Sequence, residues 1–240
     1  MELLLLLAGC GKRLGNITKT RNKCMIKING VPILEHSLKI AEKLPISKWN
    51  IVIGYQSEQV VSYIENRINP VSVRFVHQVE QKGIVHAMQI SSNLLDDDIL
   101  LNLGDEFLIN SHVDKMINFF HDNNVDFICG IIEGSSFEKI SKAFSIKCNP
   151  KSGYIVEVKE KPITPYNNIL GTGYCIFGKE TLPYLERVPI NSARNQYELC
   201  DFITLLIEKG KNGVCFPVGD DLINVNTYED LYYLKMLEGQ

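Results

Sequence analysis

The segment Leu7-Ala8-Gly9-Cys10-Gly11-Lys12-Arg13-Leu14 combines two glycines, an apolar approach and two cations within eight positions. Glycines let a backbone come close to a phosphate, and consecutive N–H groups form a concavity for an anion. Arg13 adds a planar set of donors that matches phosphate oxygens, and Lys23, ten residues on, adds a mobile point charge. The pattern GxxxxGK[ST] is absent, and the two glycines do not complete GxGxxG, so neither the Walker loop nor the dinucleotide fingerprint applies. A purely structural glycine turn is the competing reading.

Further along stand other residues able to bind or polarise a ligand. Gln78 carries an amide that can both donate to and accept from a base edge. Asp105 follows an apolar run in Leu101-Asn102-Leu103-Gly104-Asp105, where a carboxylate serves either as a turn former or as a ligand. His86 lies beside Ala87 at the start of a helical pattern, which favours packing or capping over general-base work.

These residues need a scaffold. The first half alternates short apolar runs with helical patterns: strands over Leu3–Ala8, Trp49–Ile53, Val71–Val76, Ile99–Leu103 and Asp126–Ile132. Between them the spacing predicts helices over Ile33–Leu44, from Ser57 as cap, over Val85–Leu95 and over His112–Phe120. In the second half Phe144–Lys147, Tyr154–Lys159 and Gly173–Phe177 read as strands, and Tyr197–Lys209 and Thr227–Leu237 as helices. The expectation is a single α/β domain: a Rossmann-like, mostly parallel sheet flanked by helices, with a small antiparallel insertion in the second half. Ligands of such sheets bind beyond the carboxyl ends of the strands.

A chain of 240 residues, 45% hydrophobic and 22% charged, can bury a core without staples. A net charge of −3 offers no broad basic surface for nucleic acid. Seven cysteines without a CxxC pair argue against zinc and for reduced thiols in the cytoplasm. The run Leu3–Leu7 lacks a positive flank and reads as a buried strand, and no segment approaches the ~20 apolar residues of a bilayer span. Oligomeric state is open.

The opening string, continued through Asn22-Lys23-Cys24-Met25-Ile26-Lys27-Ile28-Asn29-Gly30-Val31-Pro32-Ile33-Leu34, resembles the AAGxGxRL…PKxLxPxxGxPLL signature of sugar-phosphate nucleotidyltransferases. Asn22 stands where that family has proline, and Leu7 replaces a small residue. Gln78-Val79-Glu80-Gln81-Lys82-Gly83-Ile84-Val85-His86-Ala87-Met88-Gln89 is similar to the QxEQxGTxHAMQ segment of N-acetylglucosamine-1-phosphate uridylyltransferases. The resemblance also extends to glucose-1-phosphate thymidylyltransferases. It spans about residues 2–237, with no hexapeptide-repeat acetyltransferase segment.

The resemblance implies a set of roles. Leu7, Ala8, Gly9, Gly11, Gln78, Gly83 and Gly104 would bind the nucleotide, with Gln78 and Gly83 reading a pyrimidine. Arg13, Lys23 and Lys161 would be catalytic. Asp105 and Asn224 would hold Mg²⁺; Asn224 replaces the usual aspartate of DxGTxEDL, and a shift of alignment offers Asn226 instead. Glu160-Lys161-Pro162 matches the family's EKP step, so Glu160 with Thr172 and Gly173 would meet the acceptor; a slipped register offers Glu157 and Lys159. Thr172-Gly173-Tyr174 lacks the family's asparagine, and Gln196 replaces an acid in the ExELTD helix. About residues 1–135 would form the nucleotide half and about 136–240 the acceptor half.

The activity implied is Mg²⁺-dependent condensation of UTP, CTP or dTTP with a sugar 1-phosphate, releasing pyrophosphate. The partners would be a nucleoside triphosphate and a phosphorylated small molecule, with no nucleic acid and no membrane. Two rivals stand beside it: a cytidylyltransferase for a phospho-alcohol, phosphonate or other non-sugar acceptor, and a non-catalytic sensor of nucleotide sugars.

Overall fold

A computed structural model describes residues 1–68 and 73–237. In chain order the strands are β1 (Glu2–Leu6), β2 (Lys27–Ile28), β3 (Val31–Pro32), β4 (Lys48–Ile53), β5 (Val73–His77), β6 (Ile99–Leu103), β7 (Glu106–Ile109), β8 (Phe127–Ile132), β9 (Phe144–Cys148), β10 (Ile155–Glu160), β11 (Leu170–Phe177), β12 (Gly213–Pro217) and β13 (Asp221–Asn224). The helices are α1 (Leu34–Ala41), α2 (Ser57–Arg67), α3 (Ile84–Ser91), α4 (Val113–Asp122), α5 (Phe137–Ile140), α6 (Leu199–Glu208) and α7 (Tyr228–Leu237). Val71 and Ser72 of the expected Val71–Val76 strand lie outside the described residues.

Strands β6, β1, β4 and β5 lie side by side and parallel. Each is joined to the next in sequence through a helix, as right-handed crossovers require. β1 is apolar throughout because it is covered on both faces: Leu3 and Leu5 face one core with Leu34, Leu38, Val60, Ile64, Met116 and Ile117, whereas Leu4 faces the other with Val85, Met88, Phe177 and Phe202. The second half continues this sheet rather than lying over it. β11 runs antiparallel to both β6 and β8, β12 is parallel to β8, and the β9–β10 hairpin joins the outer end of β11.

Two small antiparallel pairs, β2–β3 and β7–β13, lie outside the main sheet. Around them a third core gathers Leu14, Ile26, Ile28, Ile33, Ile223, Val225, Leu231 and Leu234. It underpins the segment after β1. The α2 start is Gln56, in the left-handed region, with Ser57 as first helical residue rather than cap. Among the described residues no helix is long and apolar enough to cross a membrane.

Candidate active site

The glycine segment leaves the carboxyl end of β1 and turns into 3-10 helix over Lys12–Thr18. Gly11 has φ +61°, and a Cβ there would sit 3.1 Å from Cβ of Lys23. The missing side chain therefore gives the stem of Lys23 its path. Lys23 is itself buried, in a 3-10 turn over Lys23–Met25.

Asn22 fixes that turn. Its side chain accepts from the N–H of Cys24 at 2.9 Å and donates to the carbonyls of Leu7, 2.9 Å, and Tyr55, 2.8 Å. Its φ of −62° is the value a proline would impose. The asparagine thus keeps the backbone course of the family's proline and adds bonds to the ends of β1 and β4.

Lys23 reaches the end of β6. Its ammonium pairs with the carboxylate of Asp105 and donates to Oδ1 of Asn226 at 2.9 Å. Arg13 donates to that same oxygen at 2.6 Å. Asn226 in turn donates to Oδ1 of Asn224 at 2.6 Å. Arg13, Lys23, Asp105 and Asn226 thus converge beside the glycine segment, with Asn224 one contact behind. The N–H groups of Asn226 and Thr227 both donate to Asp230 at 2.8 Å, which orients the Asn224–Thr227 segment.

Leu7 and Gly104 pack together, since a Cβ on Gly104 would fall 2.1 Å from Cδ2 of Leu7. The Leu7 side chain is therefore core, and only its backbone lines the segment. Gln78 is buried and donates to the carbonyl of Gly83 at 3.2 Å, with His86 Nδ1 at 3.0 Å. The structure thus brings Gln78 and Gly83 together, and His86 serves to hold Gln78. Gln81 donates to the carbonyl of Ala8 at 2.6 Å, tying this segment to the glycine turn.

Glu160 ends β10, and Lys161 follows with φ +42° and its ammonium 3.2 Å from Oε1 of Glu160. Arg194 lies 3.5 Å from the same oxygen, and the Cys200 thiol donates to Oε2. Glu157 and Lys159, the slipped alternatives, lie within β10; Glu157 accepts from Tyr166 at 2.6 Å. The Thr172 hydroxyl is fully buried and donates to the carbonyl of Gly130 at 2.9 Å, so it shapes β11 from within.

Sequence reasoning missed Glu106. It is buried beside Asp105, and both its carboxylate oxygens receive the Gly173 N–H. Burial, with the charge of Asp105, pushes its carboxyl up to about 8, against the opposing pull of the Gly173 N–H and Lys23. The one available signal was an acid in an otherwise apolar stretch, Glu106-Phe107-Leu108-Ile109. Asn22, Arg194 and Gln81 carried no signal of their own.

Residues 3–232 match the family described as nucleotidyl transferase. The chain belongs to that family. It is 29% identical over 211 residues to the UTP–glucose-1-phosphate uridylyltransferase AglF of Haloferax volcanii, covering 88% of this chain and 85% of the relative. It is 28% identical over 236 residues to the bifunctional protein GlmU of Methanocaldococcus jannaschii, of which it spans 54%. In fold it resembles a UDP-glucose pyrophosphorylase crystallised with UDP-glucose, at TM-score 0.86, 20% identity and coverage of 99% and 98%. A putative glucose-1-phosphate thymidylyltransferase from Bacillus anthracis also superposes at 0.86 with 20% identity, covering 99% of this chain and 94% of that one.

Proposed function

We propose that the enzyme condenses a pyrimidine nucleoside triphosphate with a sugar 1-phosphate, giving a nucleotide sugar and pyrophosphate, with Mg²⁺ as the metal. The observation that carries this reading is the convergence of Arg13, Lys23, Asp105 and Asn226 beside the glycine segment. The activity for which the Haloferax relative is named supports UTP and a hexose 1-phosphate as the substrate classes.

The donor set suits a hard cation. The Lys23 ammonium already sits between a carboxylate and an amide oxygen, those of Asp105 and Asn226, and both are ligand types that Mg²⁺ accepts. Mg²⁺ keeps most of its shell for phosphates and water, so two such oxygens from the protein would suffice to hold it. Asp105 with Asn224 or Asn226 would hold it. Bound there, it would neutralise charge on the triphosphate.

The chain's own residues do the rest by positioning and charge. Gly9, Gly11 and Arg13 cradle the outer phosphates, and Lys23 lies toward the α-phosphate. An oxygen of the acceptor's phosphate attacks that phosphorus in line, and pyrophosphate leaves. The attacking oxygen is already anionic near neutral pH, so no side chain need take a proton. Lys161 offsets repulsion between the two anionic substrates, Glu160 meets the sugar hydroxyls, and Gln78 with Gly83 reads the base.

The test mixes the purified protein and Mg²⁺ with each of ATP, GTP, CTP, UTP and dTTP, against sugar 1-phosphates and phospho-alcohols, and follows pyrophosphate release. Release that requires a pyrimidine triphosphate and a sugar 1-phosphate is the expected outcome. Release with phospho-alcohols alone, or nucleotide binding with no release, overturns the reading.

A further inference from the structure

Away from the phosphate site, cysteines gather on one face of the main sheet. Cys215 of β12, Cys129 of β8 and Cys175 of β11 are register neighbours across three adjacent strands. Cys129 and Cys175 are fully buried, whereas Cys215 is half-buried. At the edge of this row Cys148, the last residue of β9 and also half-buried, places its Sγ 3.4 Å from Sγ of Cys215.

Backbone pairing holds the two together. The Asn149 N–H donates to the carbonyl of Tyr154 at 2.8 Å, and Tyr154 bridges to Val214 of β12. The residues just after Cys148 and just before Cys215 are therefore joined through one tyrosine. A disulfide requires the sulfurs to approach to about 2.05 Å, so from 3.4 Å they must close by roughly 1.4 Å.

We propose that Cys148 and Cys215 form a reversible dithiol–disulfide site that reacts with small-molecule disulfides. The hydrogen bond between the two sulfurs lowers the Cys148 thiol, to about 7, and raises that of Cys215. Cys148 is then the attacking thiolate near neutral pH and Cys215 the resolving thiol. The Cys148 sulfur attacks one sulfur of a disulfide RSSR, whose S–S bond breaks and releases RS⁻. Cys215 gives its proton to solvent and attacks the Cys148 sulfur of the mixed disulfide, and the second RS⁻ leaves. The protein is oxidised by two electrons and RSSR is reduced to two thiols.

The bond ties β12 to the turn end of the β9–β10 hairpin, while Glu160 and Lys161 lie at the hairpin's other end. The inference is independent of the proposed substrates. The buried Cys24, Cys129, Cys175 and Cys200 are shielded, and Cys10, half-buried in the glycine segment, is expected to give a mixed adduct.

The experiment incubates the folded, full chain with glutathione disulfide, alkylates residual thiols, and reads intact mass and non-reducing peptide maps. The expected result is a loss of about 2 Da in the protein weighed before alkylation, beyond any adduct on Cys10, and two fewer alkyl groups after it, with one cross-linked peptide pair joining Cys148 to Cys215 and full reversal by dithiothreitol. Cys148→Ser abolishes the cross-link, and Cys215→Ser leaves glutathione trapped on Cys148. A cross-link from Cys215 to Cys129 instead, adducts without any cross-link, or a Cys148–Cys215 link that appears only after unfolding in urea overturns the proposal.

Discussion

Both carboxylate oxygens of Glu106 receive the backbone N–H of Gly173, at 3.0 and 2.9 Å. This one group joins the strand that follows Asp105 to the interrupted part of β11, where pairing with β8 skips between Gly171 and Cys175. Without the acid, a buried N–H would have no acceptor, which costs about 1–3 kcal/mol. Glu106→Ala should lower stability by about that amount in urea unfolding. Glu106→Gln, which keeps an acceptor of the same shape and suits a site that favours the neutral carboxyl, should lose much less.

Asn22 makes a parallel prediction for the nucleotide side. Asn22→Ala removes the donors to Leu7 and Tyr55 and the acceptor for Cys24. Two backbone carbonyls are stranded, so we expect a loss of about 1–3 kcal/mol in thermal unfolding. The same variant should raise KM for the triphosphate more than KM for the acceptor, because the turn it fixes carries Lys23.

Much of this architecture was legible and some was not, for identifiable reasons. Ile99–Leu103 matches its expected bounds, and Leu3–Ala8, Trp49–Ile53 and Asp126–Ile132 differ from theirs by one or two residues at an end, because strands covered on both faces are unbroken apolar runs. The β11 strand starts at Leu170, not Gly173, because Leu170-Gly171-Thr172-Gly173 reads as a turn. The structure uses those glycines for close packing: a Cβ on Gly171 would lie 2.2 Å from the Phe144 ring, and one on Gly173 2.2 Å from Leu103. β7, β12 and β13 escaped notice as four- or five-residue strands whose partners are distant in sequence. Lys23 and Asp105 were readable from motif position. That Asn226 stands nearer to them than Asn224 was not, since it depends on the side-chain directions after β13.

That difference gives a direct comparison. Asn226→Ala removes the oxygen shared by Arg13 and Lys23, whereas Asn224→Ala removes only the acceptor behind it. Both variants should stay folded. Asn226→Ala should reduce turnover by at least tenfold, more than Asn224→Ala does, in steady-state pyrophosphate release.

His36 makes stability depend on pH. Its ring stacks on Phe107 with centroids 3.7 Å apart, and Nε2 accepts the Leu108 N–H at 3.1 Å. Burial lowers its pKa from 6.5 to about 4. Between those values the unfolded chain binds a proton that the folded chain does not, so stability falls as pH drops from 6.5 to 4. Thermal midpoints measured across this window should fall more steeply for the wild type than for His36→Asn.

If Asp105, Lys23 and their neighbours carry the proposed nucleotidyl transfer, removing the Asp105 carboxylate must abolish it without unfolding the protein. Pyrophosphate release from a pyrimidine triphosphate and a sugar 1-phosphate is followed for the wild type and for Asp105→Ala, with unfolding curves taken on the same preparations. Loss of one such charged contact typically lowers turnover about 10²–10³-fold, and Asp105→Ala should show at least that loss with its unfolding transition intact. A folded Asp105→Ala protein that turns over at the wild-type rate would contradict the account.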